Sequence, residues 1–258
     1  MGADPDSPVG ALEVAHDVIE LLADRGPIGV TAVAESLDIP KSTAYDHLRT
    51  LAGVGYAVNE DGAYRASTRL FHAGRRARDD HELYVHGRNE ALSLDRNTAE
   101  GRHVQLVAAE HGRGAILFAT RWRRERRSAR HTRAYPMQVR LHSNAPGKAI
   151  LAELPAERVD ELLAEGLPPR TDRTVTDERD LRAELETVRS NGYATDEEEL
   201  IRGMCGVAAP IVTERGVRGA VAVYGSVDRM PADPAAELAE PVRDAARTIE
   251  ANSIFGGE

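Results

Sequence analysis

The stretch Gly29-Val-Thr-Ala-Val-Ala-Glu-Ser-Leu-Asp-Ile-Pro-Lys-Ser-Thr-Ala-Tyr45 decides the fold of the first part of this 258-residue chain. Apolar residues recur three and four positions apart on either side of Pro40, as they do along one face of an α-helix. Asp38 and Ile39 form a turn with Pro40, which suits the first position of a new helix. Thr31 is a candidate N-cap for the helix before the turn. The stretch predicts two short helices joined by a tight turn.

The flanking sequence adds a third helix and a hairpin. Residues 11–23 carry apolar side chains at helical spacing, which predicts an amphipathic helix before the turn. After the turn, residues 56–58 and 63–65 flank the segment 59–62, Asn-Glu-Asp-Gly, a strong hairpin signal. Three helices and a hairpin within so short a stretch predict a winged helix-turn-helix over residues 1–66.

Such a unit places its second turn helix in the major groove of DNA, with the first residues facing base edges. Lys41 and Ser42 lie where a helix N-terminus favours phosphate. Arg49 can reach a phosphate or a guanine edge, and Asp46 can accept a hydrogen bond from cytosine. A winged helix that binds protein is the alternative. The residues expected to contact double-stranded DNA are Thr31, Lys41, Ser42, Thr43, Tyr45, Asp46, Arg49 and, from the hairpin, Arg65.

The rest of the chain predicts an α+β domain. Residues 67–94 have a helical pattern with a polar middle and are expected to form a linker helix. Residues 95–258 alternate between strand and helix patterns, which predicts a mixed or antiparallel sheet flanked by helices. The expected strands are 104–108, 115–119, 207–212 and 219–224. The expected helices are 147–154, 156–165, 178–191 and 235–252.

Composition excludes several classes of protein. The chain has 42 acidic and 33 basic residues, a net charge of −9, which argues against coating nucleic acid by bulk charge. The only lysines are Lys41 and Lys148, and the other 31 basic residues are arginines. An acidic, lysine-poor chain fits the salt-rich cytoplasm of a halophilic archaeon, and a GC-rich genome, which also replaces lysine by arginine, explains it equally well. The single cysteine, Cys205, excludes an intramolecular disulfide and fits a reducing cytoplasm. No apolar run reaches the roughly 18 residues of a membrane span.

Three blocks of the chain resemble IclR-type transcriptional regulators. The first is the helix-turn-helix stretch quoted above, followed by Gly55-Tyr56. The second is Leu141-His-Ser-Asn-Ala-Pro-Gly-Lys-Ala149, which is similar to the family's Leu-His-Ala-Thr-Ala-x-Gly-Lys-Ala segment. The third, Gly192-Tyr-Ala-Thr-Asp-Glu-Glu-Glu199 with Val207-Ala-Ala-Pro-Ile211, resembles its C-terminal signature. The blocks stand in the family's order, and the resemblance covers about residues 8 to 252.

The resemblance implies a GAF-like C-terminal effector domain in a cytoplasmic regulator, with no enzyme activity and no cofactor. It also implies homodimers formed through the N-terminal half, often assembled into homotetramers, and small organic or aromatic acids as effectors. The sequence-specific binding to an operator is expected to change when the effector binds. The residues that the resemblance places in the effector pocket are Ala145, Gly147, Lys148, Asp196, Gly206, Ala222 and Tyr224.

The chain departs from the family's pattern inside this expected pocket. Gly206 stands where the family commonly has cysteine, and Cys205 is displaced by one residue, to the other face of a strand. Ala222 and Tyr224 stand where it commonly has serines. Each lost hydroxyl removes a charge-assisted bond of about 1.5–3 kcal/mol to an anion, which disfavours a glyoxylate- or pyruvate-like ligand. A ligand-independent regulator, or a thiol- or metal-sensing one with a vestigial pocket, is the alternative.

Four further features leave more than one interpretation open. Gly147 and Lys148 either bind an anion at a helix start or form a tight loop with a surface or interface charge. The acidic run 196–199 is a metal cluster or, preferably, a solvated turn. The segment 121–133 holds seven arginines and is expected to pair with acidic surface, bind an anionic effector, contact DNA phosphate or form an exposed loop. A thiol enzyme at Cys205 would need a nearby base, and the local sequence shows none.

Overall fold

The structure is a computed structural model that describes residues 9–120 and 138–255. The arginine-rich segment 121–133 therefore lies outside the described residues. The chain divides into two compact units, Met1–Asp79 and Asp80–Glu258. No helix within the described ranges combines the length and the apolar character that crossing a membrane requires.

The first unit is a winged helix-turn-helix. Its elements are α1 (Gly10–Arg25), β1 (Ile28–Gly29), α2 (Val30–Leu37), α3 (Lys41–Gly53), β2 (Ala57–Glu60), β3 (Ala63–Ala66) and α4 (Thr68–Asp79). The strands form an antiparallel sheet in the order β1-β3-β2. The predicted hairpin is confirmed: Asp61 and Gly62 turn the chain at positive φ angles of 52° and 87°, a conformation that favours Asp-Gly.

The core of this unit is built from the inward faces of the three predicted helices. Val18 and Leu22 of α1 pack with Val33 of α2 and Leu48 of α3, and all four side chains are buried. Their spacing along each helix places them on one face, as the apolar pattern predicts. This packing holds α2 and α3 on either side of the turn at Asp38, whose φ of 52° lies in the left-handed region.

The stretch expected to form one linker helix contains two helices. After α4, the helix α5 (Glu82–Arg96) begins in the second unit. His81 interrupts the helical path because its backbone is extended and its Nδ1 accepts a hydrogen bond from the Leu83 N–H, which makes it the N-cap of α5. The two helices also differ in environment, since α4 buries no residue and α5 buries Leu83, Ala91 and Leu94.

The second unit is a six-stranded sheet between two layers of helices. The strands are β4 (Arg102–Glu110), β5 (Arg113–Ala119), β6 (Gln138–Arg140), β7 (Ala194–Glu197), β8 (Met204–Thr213) and β9 (Gly216–Ser226). They run antiparallel in the order β6-β5-β4-β9-β8-β7. The helices besides α5 are α6 (Ala145–Glu153), α7 (Ala156–Ala164), α8 (Glu178–Asn191) and α9 (Pro234–Phe255). The α+β class is confirmed.

Each face of the sheet has its own apolar core. On one face, Leu106 and Val221 pack with residues of α5 and α9 such as Ile249. On the other face, Ala208 and Ala222 pack with residues of α6, α7 and α8. Because side chains alternate between faces along a strand, the register of β7, β8 and β9 decides which residues meet beneath α6.

Candidate functional site

In the first unit, α3 buries one face and exposes the other. Ala44, Leu48 and Leu51 point into the core and are buried. The side chains expected to meet DNA lie on the opposite face: Lys41, Ser42, Tyr45, Asp46 and Arg49 are exposed, and Thr43 is partly buried. Within residues 9–120 and 138–255, no carboxylate pairs with Lys41 or Arg49. A helix with this division can lie in a groove while its inner face holds it to the unit.

The two remaining residues predicted to contact DNA have local roles. Thr31 is exposed on α2, but the prediction that it is an N-cap is wrong. The helix begins at Val30 and is capped by Gly29, because the extended backbone of β1 leads straight into it. Arg65 on β3 is partly exposed and its Nη2 lies 2.7 Å from Glu60 Oε1, so its guanidinium forms an ion pair across the hairpin.

In the second unit, a buried ion cluster lies between α6, α8 and the end of β7. Lys148 of α6 has no solvent exposure, and its Nζ donates to Glu184 Oε1 at 2.5 Å and to Glu199 Oε1 at 2.6 Å. Burial disfavours the ammonium, but the two carboxylates outweigh it and raise the pKa of Lys148. Both expected roles of this lysine, anion binding and a surface or interface charge, are therefore corrected: it is an internal cation.

Next to this cluster, Asp196, Gly206, Tyr224 and His103 are neighbours across β7, β8, β9 and β4. The Tyr224 hydroxyl donates to Asp196 Oδ2 at 2.9 Å and accepts from the Ala145 N–H at 3.1 Å. Burial raises the pKa of the Asp196 carboxyl to about 7, and the nearby Glu199 carboxylate adds to the shift. This row joins the sheet to the start of α6 by hydrogen bonds.

Gly206 explains how the tyrosine reaches an aspartate two strands away. A Cβ on Gly206 would lie 2.5 Å from Cε1 and Cζ of Tyr224. The ring therefore packs against the glycine, in space that the side chain of any other residue would fill. The side chain of Ala222, the other position where the family commonly has serine, is buried and carries no hydroxyl.

Gly147 is required by close packing at the start of α6. Its Cβ would lie 2.0 Å from the Leu141 carbonyl oxygen, and its N–H donates to the Asn144 side chain at 2.9 Å. Asn144 thus caps the helix, and its side chain already accepts the hydrogen bond from the Gly147 N–H that an anion would need. The tight-loop interpretation of this glycine fits the geometry, and the geometry gives no support to an anion site at its N–H.

The prediction that residues 196–199 form a solvated turn is wrong for its two end residues. Asp196 and Glu199 are 1% and 6% exposed. Asp196 lies in β7, where pairing with β8 turns its side chain inward, and its Oδ1 accepts from the Glu199 N–H at 2.8 Å. Within the described ranges, no three His, Cys, Asp or Glu side chains are grouped to hold a metal ion.

Cys205 precedes Gly206 on β8, so its side chain leaves the sheet on the opposite face from the Tyr224 ring. It is partly buried and free. Burial raises the pKa of the thiol, and the negative charges of Asp196, Glu198 and Glu197 raise it further. A raised pKa is the reverse of what a reactive thiolate requires.

Glu184 is a partner of Lys148 that was not predicted from the sequence. A signal was available, because Glu184 follows Leu181 by three residues and precedes Val188 by four, on the buried side of α8. A carboxylate on an apolar face requires a cation. His103 is a second neighbour that was not predicted for this site: it is buried on β4 with its ring 6.2 Å from the Tyr224 ring, in a stacked arrangement.

Comparisons with known proteins agree with this two-unit architecture. Residues 11–61 match the IclR helix-turn-helix domain, and residues 94–251 match the bacterial transcriptional regulator IclR C-terminal family. The "Probable HTH-type transcriptional regulator ArcR" of Halobacterium salinarum, a halophilic archaeon, is 31% identical over 92% of this chain and 90% of the relative. The glycerol operon regulatory protein of Streptomyces coelicolor is 31% identical over 93% and 95%.

Solved structures share the fold. An IclR homologue from Microbacterium hydrocarbonoxydans, solved in complex with 4-hydroxybenzoate, is 24% identical, with a TM-score of 0.76 over 95% of this chain and 99% of the other. An IclR transcriptional regulator from Alicyclobacillus acidocaldarius is 23% identical, with a TM-score of 0.76 over 96% and 100%. The family matches span both units, and the chain therefore belongs to the IclR family of transcriptional regulators, which are not enzymes.

Proposed function

We propose that this chain binds a specific DNA operator through α3, and that a small molecule held in the second unit changes its affinity for that operator. The main observation in support of this proposal is the solvent-exposed outer face of α3. Lys41 and Arg49 present cationic groups there, and Asp46 and Tyr45 present groups that can contact base edges. Because the chain as a whole is acidic, this small basic surface favours recognition of a specific DNA sequence over non-specific binding to the phosphate backbone.

A footprint of the purified protein on fragments around its own gene tests this proposal. It yields the operator and the half-site spacing. In gel-shift titrations at fixed salt, Arg49→Ala is expected to weaken operator binding by about 1–3 kcal/mol. Lys41→Ala is expected to weaken all sequences alike and to reduce the salt dependence by about one ion.

A matched control is Arg179→Ala on α8, which removes the same charge from an exposed site in the second unit. It is expected to leave operator affinity unchanged. Equal affinities for Arg49→Ala and the wild-type chain would refute the assignment of α3 as the recognition helix. A protein that protects no DNA at all would favour a winged helix used for protein contacts.

The effector is proposed to act in the second unit, beneath α6. The wall would include five of the seven residues that the family resemblance assigned, with Asp196 and Tyr224 as its polar end. Gly147 and Lys148 are left out of the proposed wall, because one packs against Leu141 and the other pairs with Glu184 and Glu199. The 4-hydroxybenzoate held by the Microbacterium structure makes aromatic acids the first class to test. The expected result is a change in operator affinity on adding an organic or aromatic acid to the footprinting reaction.

A second candidate, a ligand-independent regulator, is favoured by one observation. The hydroxyl of Tyr224 already forms hydrogen bonds with the Asp196 carboxyl and the Ala145 N–H, the groups that would otherwise bind a ligand. Operator affinity that no organic acid alters, together with intact DNA binding, would support this candidate. The raised pKa of Cys205 counts against thiol sensing as a third.

The chain is proposed to work in the cytoplasm as a homodimer, or as a homotetramer built from dimers. Leu12 of α1 is 69% exposed and Phe71 of α4 is 66% exposed, and both belong to the first unit. Large apolar side chains left open favour contact with a second copy. Sedimentation of the Leu12→Glu/Phe71→Glu variant is expected to show a smaller assembly than the wild type, and an unchanged mass would contradict it.

A further inference from the structure

The side chain of Tyr224 is held as a bound phenol would be. It is 1% exposed, its ring packs against Gly206, and its hydroxyl accepts one hydrogen bond and donates another. The donor is the backbone N–H of Ala145 on α6, and the acceptor is the carboxyl of Asp196 on β7. Neither group belongs to the strand that carries the tyrosine, so the hydroxyl links three separate elements.

Small residues share the apolar core with the ring. Tyr224 belongs to the apolar cluster that includes Ala145, Ala208 and Ala222, whose small side chains leave room for a ring. Gly206 has no side chain to interfere with the tyrosine ring, and the His103 ring stacks next to that ring. Truncating such a residue leaves a cavity, because the surrounding structure relaxes only partly, and an apolar cavity of this kind takes up aromatic molecules.

We propose that Tyr224 is a built-in occupant of a phenol-binding site, and that it determines the specificity of the second unit by excluding small polar ligands from Asp196 and the Ala145 N–H. This inference rests on the proposed function, since it concerns the site where an effector would act. A ligand that uses these two groups has to displace the tyrosine first. The raised pKa of Asp196 agrees with this role, because a protonated carboxyl tolerates burial beside a ring.

The test uses the full chain carrying Tyr224→Ala, with phenol as the probe. Alanine keeps the Cβ of tyrosine, so phenol supplies the atoms that the substitution removes. Isothermal titration calorimetry is expected to show saturable binding of phenol to Tyr224→Ala. Benzene is expected to bind at least about fivefold more weakly, because it lacks the hydroxyl that lies between Ala145 and Asp196.

Two proteins serve as controls. The wild type and Tyr224→Phe both keep a ring in the site and are expected to bind no phenol. Wild-type protein that binds phenol as tightly as Tyr224→Ala would overturn the proposal, because the site would then be open. Equal affinities of Tyr224→Ala for phenol and benzene would overturn the role of the two polar groups.

The proposal remains testable if Tyr224→Ala fails to fold alone. A ligand that binds only the folded state shifts the folding equilibrium, so refolding in millimolar phenol is then expected to restore the circular dichroism of the native protein. If phenol neither binds to Tyr224→Ala nor restores its fold, the proposal is overturned. Operator binding by the wild type is measured separately: its absence would refute the proposed function without touching the phenol result.

Discussion

The ammonium nitrogen of Lys148 lies 2.6 Å from Glu199 Oε1, and both side chains are buried. The same nitrogen lies 2.5 Å from Glu184 Oε1. One positive charge therefore serves two carboxylates and ties α6 both to α8 and to the segment after β7. The second oxygen of Glu199 is buried and has no hydrogen-bond partner among the described residues, so the cluster depends on the lysine.

Lys148→Met is expected to destabilise the second unit strongly. The substitution keeps an unbranched side chain of similar length but leaves two carboxylates without their cation. Breaking a buried ion pair in this way costs about 3–5 kcal/mol of the free energy of unfolding. Urea denaturation followed by circular dichroism measures it. The exposed Arg179→Met is the control and is expected to stay within about 0.5 kcal/mol of the wild type; similar midpoints for both variants would contradict the prediction.

Asp196→Asn is expected to alter how stability depends on pH. The pKa of Asp196 rises from its ordinary 3.8 to about 7 in the folded protein. The folded state therefore holds this proton to higher pH than the unfolded chain does. The contribution of Asp196 to stability is complete below pH 3.8 and is lost as the pH rises through about 7. Asparagine does not titrate.

Between pH 4 and pH 8, the wild type is thus expected to lose roughly 2–4 kcal/mol of stability relative to Asp196→Asn. Urea midpoints of both proteins, recorded side by side across this range, give the difference, and titrations that they share cancel. Two curves that stay parallel would show that Asp196 does not carry a raised pKa.

Gly147→Ala is expected to destabilise the second unit by about 3 kcal/mol or more, because its Cβ would enter the carbonyl group of Leu141. Thermal unfolding measures the effect. Gly74→Ala on α4 is the matched control. Nothing lies within 4 Å of its Cβ position, and alanine favours a helix by about 0.5–1 kcal/mol over glycine. Equal melting temperatures for the two variants would contradict the close packing described at α6.

Cys205 is expected to react slowly with thiol reagents. Burial and three neighbouring carboxylates raise the pKa of its thiol, so little thiolate exists at neutral pH. Labelling with a chromogenic disulfide at pH 7.5 is expected to be at least about fivefold slower in the native protein than in the urea-unfolded chain. Faster labelling of the native protein would reopen the thiol-sensing alternative.

The N-terminal part of the structure follows closely from the sequence. The turn at Asp38 and the hairpin at Asp61-Gly62 depend on residues a few positions apart, and the apolar spacing of α3 decides which face is buried. The sequence does not predict the break in the linker, because this break depends on a single N-cap interaction at His81 within a continuous helical pattern. A periodic pattern predicts that a helix exists, but it predicts the exact residue at which a helix ends less well.

By itself, the sequence determined the family, the winged helix, the α+β class and the outward residues of α3, because these depend on motif blocks and on periodic burial along single elements. Only the tertiary structure decided what the polar residues of the second unit do. Lys148 meets carboxylates 36 and 51 residues away, and Tyr224 meets Asp196 28 residues away. Strand register and helix packing bring these groups together, and once buried, each ionisable group requires the partner that this packing supplies.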